Sequence, residues 1–459
     1  MRNPIRLLPL SLLFFLLAAA YAQSSRQDID QIATQALKDT GVPSASVSVV
    51  EDGKITYAHA YGEARLDPKK PAESQMRYAI GSISKQFTAT AILMLQEEGK
   101  LTLDDHVDKY VSGLTRGNEV TIRELLSHTS GYQDFWPQDY VPPMMLKEIS
   151  AQKILEIWAR KPLDFDPGTR WQYSNTNYVI AGLIVEKVSG MPFFDFVQKR
   201  IFKPLNMHSV ADVNLSTLNT SDATGYFRFA LGPPRLAPKE GKGWLFAMGE
   251  LAMTAEDLQK WNISVINQTL LKPESYKELE TEVLLKDGSP TGYALGIGVA
   301  RRNGHRMLQH GGEVSGFTAT STILPDDRMA IVVLTNQDAA EASGVIARGI
   351  AEKLLQAASD PKEDALVTRV LQGLAQGKIE RSLFTDNANA YFNAQALQDY
   401  AGSLSPLGAL EAVKQNSTSL RGGMTYRNYV AKYGKKSLTL SIYEMPDGKI
   451  EQFIVRPAE

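Results

Sequence analysis

Ser82 and Lys85 stand three residues apart in Gly81-Ser82-Ile83-Ser84-Lys85, at the head of the apolar run "FTATAILML". A serine hydroxyl is a poor nucleophile until a base takes its proton. On a helix, residues i and i+3 share a face, so the Lys85 amine can reach the Ser82 hydroxyl. Burial favours the neutral amine, the form that accepts a proton. The first turn of a helix also offers unpaired N–H groups that favour developing negative charge. The spacing alone is weak, because average composition yields on the order of one or two chance Ser-x-x-Lys matches in a chain this long. Two later segments add weight. Tyr173-Ser174-Asn175 stands just before a second apolar helix, and His310-Gly311-Gly312 closes a strand-like segment. A phenol can relay a proton, and a carboxamide can orient both lysine and substrate. A histidine followed by two glycines lets a substrate backbone approach closely.

The elements that must position these residues can be read from periodicity. Residues 27–40 place Ile29, Ile32, Ala33 and Leu37 on one helical side. "SASVSVVEDGKITYAHAYGEAR" alternates, turns at Asp52-Gly53 and alternates again, which is a hairpin signal. Phe87 to Leu95 is apolar on most sides, so its helix should be central, with Gly99 at its C-terminal end. "TIRELLSHTSGY" reads as a short helix and a turn, and "GYQDFWPQDYVPP" as an aromatic loop. The helix after Asn175 ends near Gly190. Residues 219–249 read as a long loop. Strands follow from His305 past the Pro325-Asp326-Asp327 turn, then a helix from Ser343 to Ala357. Strands at both ends with helices between them predict one sheet built from both ends and flanked by helices. The polar stretch "ASDPKED", 358–364, predicts a boundary. Beyond it, 365–459 reads as a small accessory α+β domain, by analogy with cone-shaped NTF2-like folds.

Taken together and in order, "GSISKQFTATAILMLQEEGKLTLDDHVDKY", "TIRELLSHTSG", "FDPGTRWQYSNTNYVIAGLIVEKVSG" and "QHGGEVSGF" resemble the recurring segments of the serine β-lactamase and penicillin-binding protein superfamily, closest to its class C branch. The resemblance covers about residues 27–357. It implies an α/β (α+β) fold with an antiparallel sheet, flanking helices and an all-helical region. It also implies Ser82 as the acylated nucleophile, Lys85 as its proton acceptor and Tyr173 as the proton relay. Asn175 would orient the ligand, and His310 would donate a hydrogen bond near Tyr173 and the leaving group. The backbone N–H groups of Ser82 and of Glu313, just past Gly312, would form the oxyanion hole. Class C β-lactamases carry Lys-Thr-Gly where this chain has His-Gly-Gly, as many esterase and peptidase members do. The implied activity is cleavage of an ester, a D-amino-acid peptide or a β-lactam through an acyl-enzyme. The rival is an acylating sensor without efficient turnover.

The bulk composition narrows the alternatives. With 459 residues the chain can bury a large core, and 49 basic against 51 acidic residues give no basic stripe for nucleic acid. The chain has no cysteine, which excludes disulfides, thiolate metal sites and cysteine nucleophiles. The six histidines form no His-Glu-x-x-His, and there is no Gly-x-Ser-x-Gly elbow. The expectation is therefore no metal and no cofactor. Arg2 and Arg6, the apolar Leu7–Ala19 and then Ala20-Tyr21-Ala22 predict a signal peptide, residues 1–22, cleaved after Ala22. The expected product is a periplasmic or secreted protein without a stable membrane anchor, monomeric or homodimeric, acting on a small molecule or short peptide. Among weaker candidates, His128 and Ser84 read as structural. Gln133 and Asn336 are candidate substrate contacts, and the loops 132–143 and 219–249 are candidate pocket rims.

Overall fold

The computed structural model describes residues 26–215, 218–302, 304–357, 361–434 and 436–458. The expected leader, its cut after Ala22 and residues 358–360 of the polar stretch lie outside them. The chain divides into two compact units, one running to Ala300 and from Arg306 to Ile350, the other comprising Arg301–His305 and Ala351 onward.

The first unit is built on a seven-stranded sheet. A helix over 26–40 (α1) leads into β1 (Ser44–Glu51) and β2 (Lys54–Leu66). Asp52 and Gly53 turn this hairpin with φ of 50° and 73°, the positive values a two-residue hairpin turn requires. A short β3 (Lys69–Pro71) pairs with β2. The chain returns much later as β4 (Gly298–Arg302), β5 (His305–Val314), β6 (Phe317–Leu324) and β7 (Met329–Thr335). The sheet order is β3-β2-β1-β7-β6-β5-β4. The two chain ends of the unit meet at the antiparallel β1–β7 pair, from Ala45 opposite Thr335 to Val50 opposite Ala330. Every residue of β6 is buried, so both faces of the sheet centre are covered.

The helical region carries the site. Helix α2 (Lys85–Glu97) is buried from Lys85 through Leu95. Phe87, Ile92, Leu93 and Leu95 are fully buried, each contributing about 1.5–3 kcal/mol relative to exposure. Gly99, at φ +68°, sits just past the end of α2. A short α3 (Ile122–Leu126) opens with a Thr121–Glu124 capping box. Helix α4 (Asn175–Ser189) packs against α2 and ends at Gly190, φ +70°. Helix α5 (Ala255–Asn267) lies on the sheet, where Gln259 Nε2 donates to the Ser48 and Ala330 carbonyls at 2.7 and 3.2 Å. Helix α6 (Ala342–Ala357) meets α1 through Gly349 and Ile32.

Two features depart from the sequence reading. Residues 219–249 are not wholly a loop, since Tyr226–Phe227 pairs with Arg235–Leu236. A small sheet joins Tyr78–Ala79, Leu251–Met253 and Ala211–Asp212. This second sheet anchors the segment just before Ser82.

The second unit has its own core, including Leu371, Phe392, Tyr429, Leu440 and Phe453. Helices Pro361–Ala375, Asp386–Tyr391 and Ala394–Leu404 precede a four-stranded antiparallel meander. Its first strand is Ala412–Arg421, which periodicity does not reveal because "KQNSTS" has no apolar alternation.

Candidate active site

Ser82 sits in a short 3-10 turn, Gly81–Ser84, that runs into α2. Gly81 has φ +51°, and a Cβ there would lie 2.6 Å from the Glu313 nitrogen. A Cβ on Gly312 would lie 1.9 Å from the Ile80 carbonyl and 3.3 Å from the Ser82 nitrogen. Two glycines thus let the 80–82 backbone and the end of β5 touch. The Ser82 and Glu313 amides that the family pattern assigns to an oxyanion hole are consequently neighbours. The Glu313 side chain is engaged elsewhere, its carboxylate accepting from Ala339 N at 2.7 Å.

Lys85 is fully buried. Its Nζ lies 2.9 Å from Ser82 Oγ, 2.8 Å from Asn175 Oδ1 and 2.9 Å from the Met248 carbonyl. Burial pushes the amine down to about 7, while the nearby Asp134 carboxylate works in the opposite direction. Tyr173 places its ring 5.0 Å from Lys85 Nζ. Burial raises its phenol, so it stays protonated, and its hydrogen bond with Ser82 works the other way. Ser82, Lys85, Tyr173 and Asn175 are therefore one connected cluster. Ser82, Tyr173, Asn175, His310, Gly312 and Glu313 all line a cleft of about 990 Å³.

His310 is in the cleft but is bonded differently from the family expectation. Its Nδ1 lies 2.5 Å from the Gly311 carbonyl, which can only accept, so this nitrogen carries the proton. Nε2 then accepts from the Tyr293 hydroxyl at 2.7 Å. Burial and the Lys85 charge push the imidazole down to about 4, so it is neutral near pH 7. Both ring nitrogens are taken, and the contact with Tyr173 is ring to ring, 6.3 Å between centroids. Near Tyr173 it is thus a packed, neutral ring whose N–H is held by the Gly311 carbonyl.

The family model described as Beta-lactamase matches residues 29–355. The chain belongs to the beta-lactamase family. That places it in the superfamily of serine β-lactamases and penicillin-binding proteins, whose members share its mixed sheet-and-helix fold. It is 29% identical over 322 residues to Protein flp of Staphylococcus aureus strain N315, across 68% of this chain. The matched region spans 63% of that relative's length. Among solved structures, a D-stereospecific amidohydrolase from Streptomyces is 28% identical with a TM-score of 0.61, covering 69% of this chain and 96% of that one. The octameric penicillin-binding protein homologue from Pyrococcus abyssi shares the fold over 94% of this chain and 96% of its own, with a TM-score of 0.64 at 22% identity. Within this family the cluster on Ser82 has the make-up of a serine hydrolase site.

The beta-lactamase-family reading also sorts the weaker candidates. Asn336 is a buried staple rather than a substrate contact. Its amide accepts from Ser44 N at 2.8 Å and donates to the Glu63, Ala64 and Thr224 carbonyls. Gln133 turns to the Pro162 carbonyl. Ser84 accepts from Leu251 N, holding the turn to the small sheet. His128 is buried with φ +61°, accepts from Ser174 N and stacks 4.2 Å from the Tyr173 ring. Asp134 and residues 136–141 do line the cleft, but of 219–249 only Met248 does so among the described residues. Three contributors escaped sequence reasoning: Asp134, Tyr293 and the Met248 carbonyl. A lone acid in the aromatic stretch "GYQDFW" was a usable signal for Asp134. The other two have none. Among the described residues, no group of three or more His, Asp or Glu side chains is placed to hold a metal ion, and no helix is long and apolar enough to cross a membrane.

Proposed function

We propose that this protein is an exported serine hydrolase that forms an acyl-enzyme on Ser82 and cleaves amides or esters whose acyl part lacks a carboxylate, amino-acid amides foremost. The observation that carries the reading is the buried Lys85 amine 2.9 Å from Ser82 Oγ. In the proposed sequence the neutral amine takes the Ser82 proton as Oγ bonds to the substrate carbonyl carbon. The carbonyl oxygen becomes an oxyanion against the Ser82 and Glu313 N–H groups. Collapse breaks the bond to the leaving group, which receives a proton through Tyr173. Water then attacks the acyl carbon and returns Ser82. Asn175 holds Lys85 and the substrate in register.

The substrate preference rests on the charge of the cleft wall. Asp134, Asp139, Glu313, Asp338 and Glu341 line it, against Arg348, with the buried Lys85 committed to Ser82 and Asn175. Such a wall repels a substrate carboxylate and attracts an ammonium group. The neutral His310 offers no fixed charge to a β-lactam carboxylate. The similarity to a D-stereospecific amidohydrolase supports the amide reading. Export rests on the leader pattern of residues 1–22 alone.

The test is kcat/KM on D-alanine p-nitroanilide, p-nitrophenyl butyrate and nitrocefin, with Ser82→Ala as control and intact mass read during turnover. Amide and ester should exceed nitrocefin, with activity abolished in Ser82→Ala. A strong preference for nitrocefin would return the protein to the β-lactamase reading. An adduct that persists for hours would favour a sensor.

A further inference from the structure

The loop after α3, "HTSGYQD", makes four successive hydrogen-bond contacts with the start of α4. His128 Nδ1 accepts from Ser174 N at 3.2 Å. Asp134 Oδ1 accepts from Asn175 N at 3.0 Å. The Gln133 carbonyl accepts from Thr176 Oγ1 at 2.6 Å. Ser130 Oγ donates to Asn177 Oδ1 at 2.6 Å. Helix α4 has no cap from its own N-cap side chain, so Asp134 supplies one across the fold, with its charge at the favourable end of the helix.

Asp134 also touches the side chain that holds Lys85. Asn175 Nδ2 lies 3.1 and 3.3 Å from its two carboxylate oxygens. A carboxylate accepts only, so it fixes the amide nitrogen on its own side. Asn175 Oδ1 is left facing Lys85 Nζ. The opposite flip would set oxygen against carboxylate and N–H against amine. The carboxylate itself lines the cleft and is further held by Trp136 N at 3.1 Å.

We propose that Asp134 is the positioning residue of the acylation machinery: it locks the Asn175 amide toward Lys85, and its negative charge sets how much of the Lys85 amine is protonated. The proposal rests on the hydrolase reading above. The groups facing Lys85 are Asp134, the imidazoles of His128 and His310, and the phenols of Tyr173 and Tyr178. Burial holds both imidazoles below their usual range, and Lys85 itself opposes their protonation. Burial likewise keeps both phenols neutral. Asp134 is thus the negative charge in this set, and it favours the ammonium form of Lys85.

Two variants separate the two effects. Asp134→Asn keeps an oxygen acceptor for Asn175 and removes the charge. Asp134→Ala removes both. The measurement is kcat and KM for the uncharged p-nitrophenyl butyrate from pH 5 to 9, with Tm for each variant. The rising acid limb should move to lower pH in Asp134→Asn by about one unit, the low end for an opposite charge nearby. Asp134→Ala should lose about 10²-fold in kcat across the range with KM little changed, as misplacement of a catalytic group does. An Asp134→Asn limb that superimposes on wild type overturns the proposal, and so does an Asp134→Ala plateau kcat within threefold of wild type. If Asp134→Ala does not fold, the Asp134→Asn limb decides alone. Hydrolysis surviving in Ser82→Ala would instead overturn the underlying function, so the two failures are distinguishable.

Discussion

Gly311 and Gly312 are neighbours in β5, yet an added methyl group would meet opposite surroundings at the two positions. Neither takes the left-handed conformation, so space rather than backbone preference decides the outcome. At Gly312 the methyl carbon would fall 1.9 Å from the Ile80 carbonyl oxygen. An ordinary contact is at least 3.4 Å, so β5 and the Ile80–Ser82 turn must separate by roughly the difference, on the order of 1.5 Å, with little room to yield in a close-packed interior. That separation pulls the Glu313 amide away from Ser82. Losing one oxyanion donor costs about 10²–10³-fold in kcat, and overpacking a core costs about 1–3 kcal/mol of stability. At Gly311 the nearest atom would be the Ala319 carbonyl oxygen at 3.9 Å, an ordinary contact. Gly312→Ala should therefore lose at least about 10²-fold in kcat on p-nitrophenyl acetate, with a lowered Tm. Gly311→Ala should stay within threefold of wild type at an unchanged Tm. The small acyl group keeps a methyl on the cleft wall from mattering. Equal losses at both positions, or wild-type turnover in Gly312→Ala, would refute the claim that this close approach assembles the oxyanion hole.

Three further outcomes follow from buried titrations. The acid limb of kcat/KM should fall near pH 7, where Lys85 loses its proton, rather than near 4, where His310 titrates. Lys85→Arg, which cannot deprotonate, should lose at least about 10²-fold at every pH; a pH–rate profile on p-nitrophenyl butyrate checks both. Separately, Asn214 bridges two buried acids, donating to Asp212 Oδ1 at 2.7 Å and to Glu250 Oε2 at 2.8 Å. Burial raises both carboxyls, Asp212 to about 6, and the Asp212 charge raises Glu250 further. Carboxyls raised in the fold stabilise fully below their unfolded values, and that contribution is lost as pH rises through the folded ones. Glu250→Gln keeps an acceptor for Asn214, so Tm should rise on the order of 2 °C at pH 8 and hardly change at pH 4. Calorimetry showing the same shift at both pH values would contradict the charge argument.

The parts of this molecule that the sequence exposes are those whose physics is local. Ser82 and Lys85 meet because one helical turn separates them, and the burial of α2 is written in Phe87 to Leu95. The β1–β2 hairpin follows from alternation around Asp52-Gly53, and the ends of α2 and α4 from Gly99 and Gly190. What stayed hidden is carried by contacts distant in sequence. Asp134 reaches Asn175 over 41 positions, Lys85 reaches the Met248 carbonyl over 163, and Tyr293 occupies His310 from another segment. No periodicity marks such partners, because each is a single polar atom on a loop. The same blindness explains Asn336, whose type and place suggested ligand binding while its amide was satisfied by four backbone groups.

This division bears on how the site works. A Ser-x-x-Lys pair on a helix fixes distance but not protonation, since the same spacing on a solvated face would leave the lysine charged and inert as a base. Here the amine is fully buried, and both the elements that bury it and the acid that partly restores its charge come from elsewhere in the chain. His310 shows the complementary case. Its position fits the third family segment, yet Tyr293 and its own neighbouring carbonyl take both nitrogens, so the residue type does not disclose its chemistry. Asp134→Asn should therefore change the pH behaviour of the site more selectively than changes at residues the family pattern names, because it removes a charge that acts on Lys85 while leaving the nucleophile, its base and the close-packed backbone at Gly312 in place.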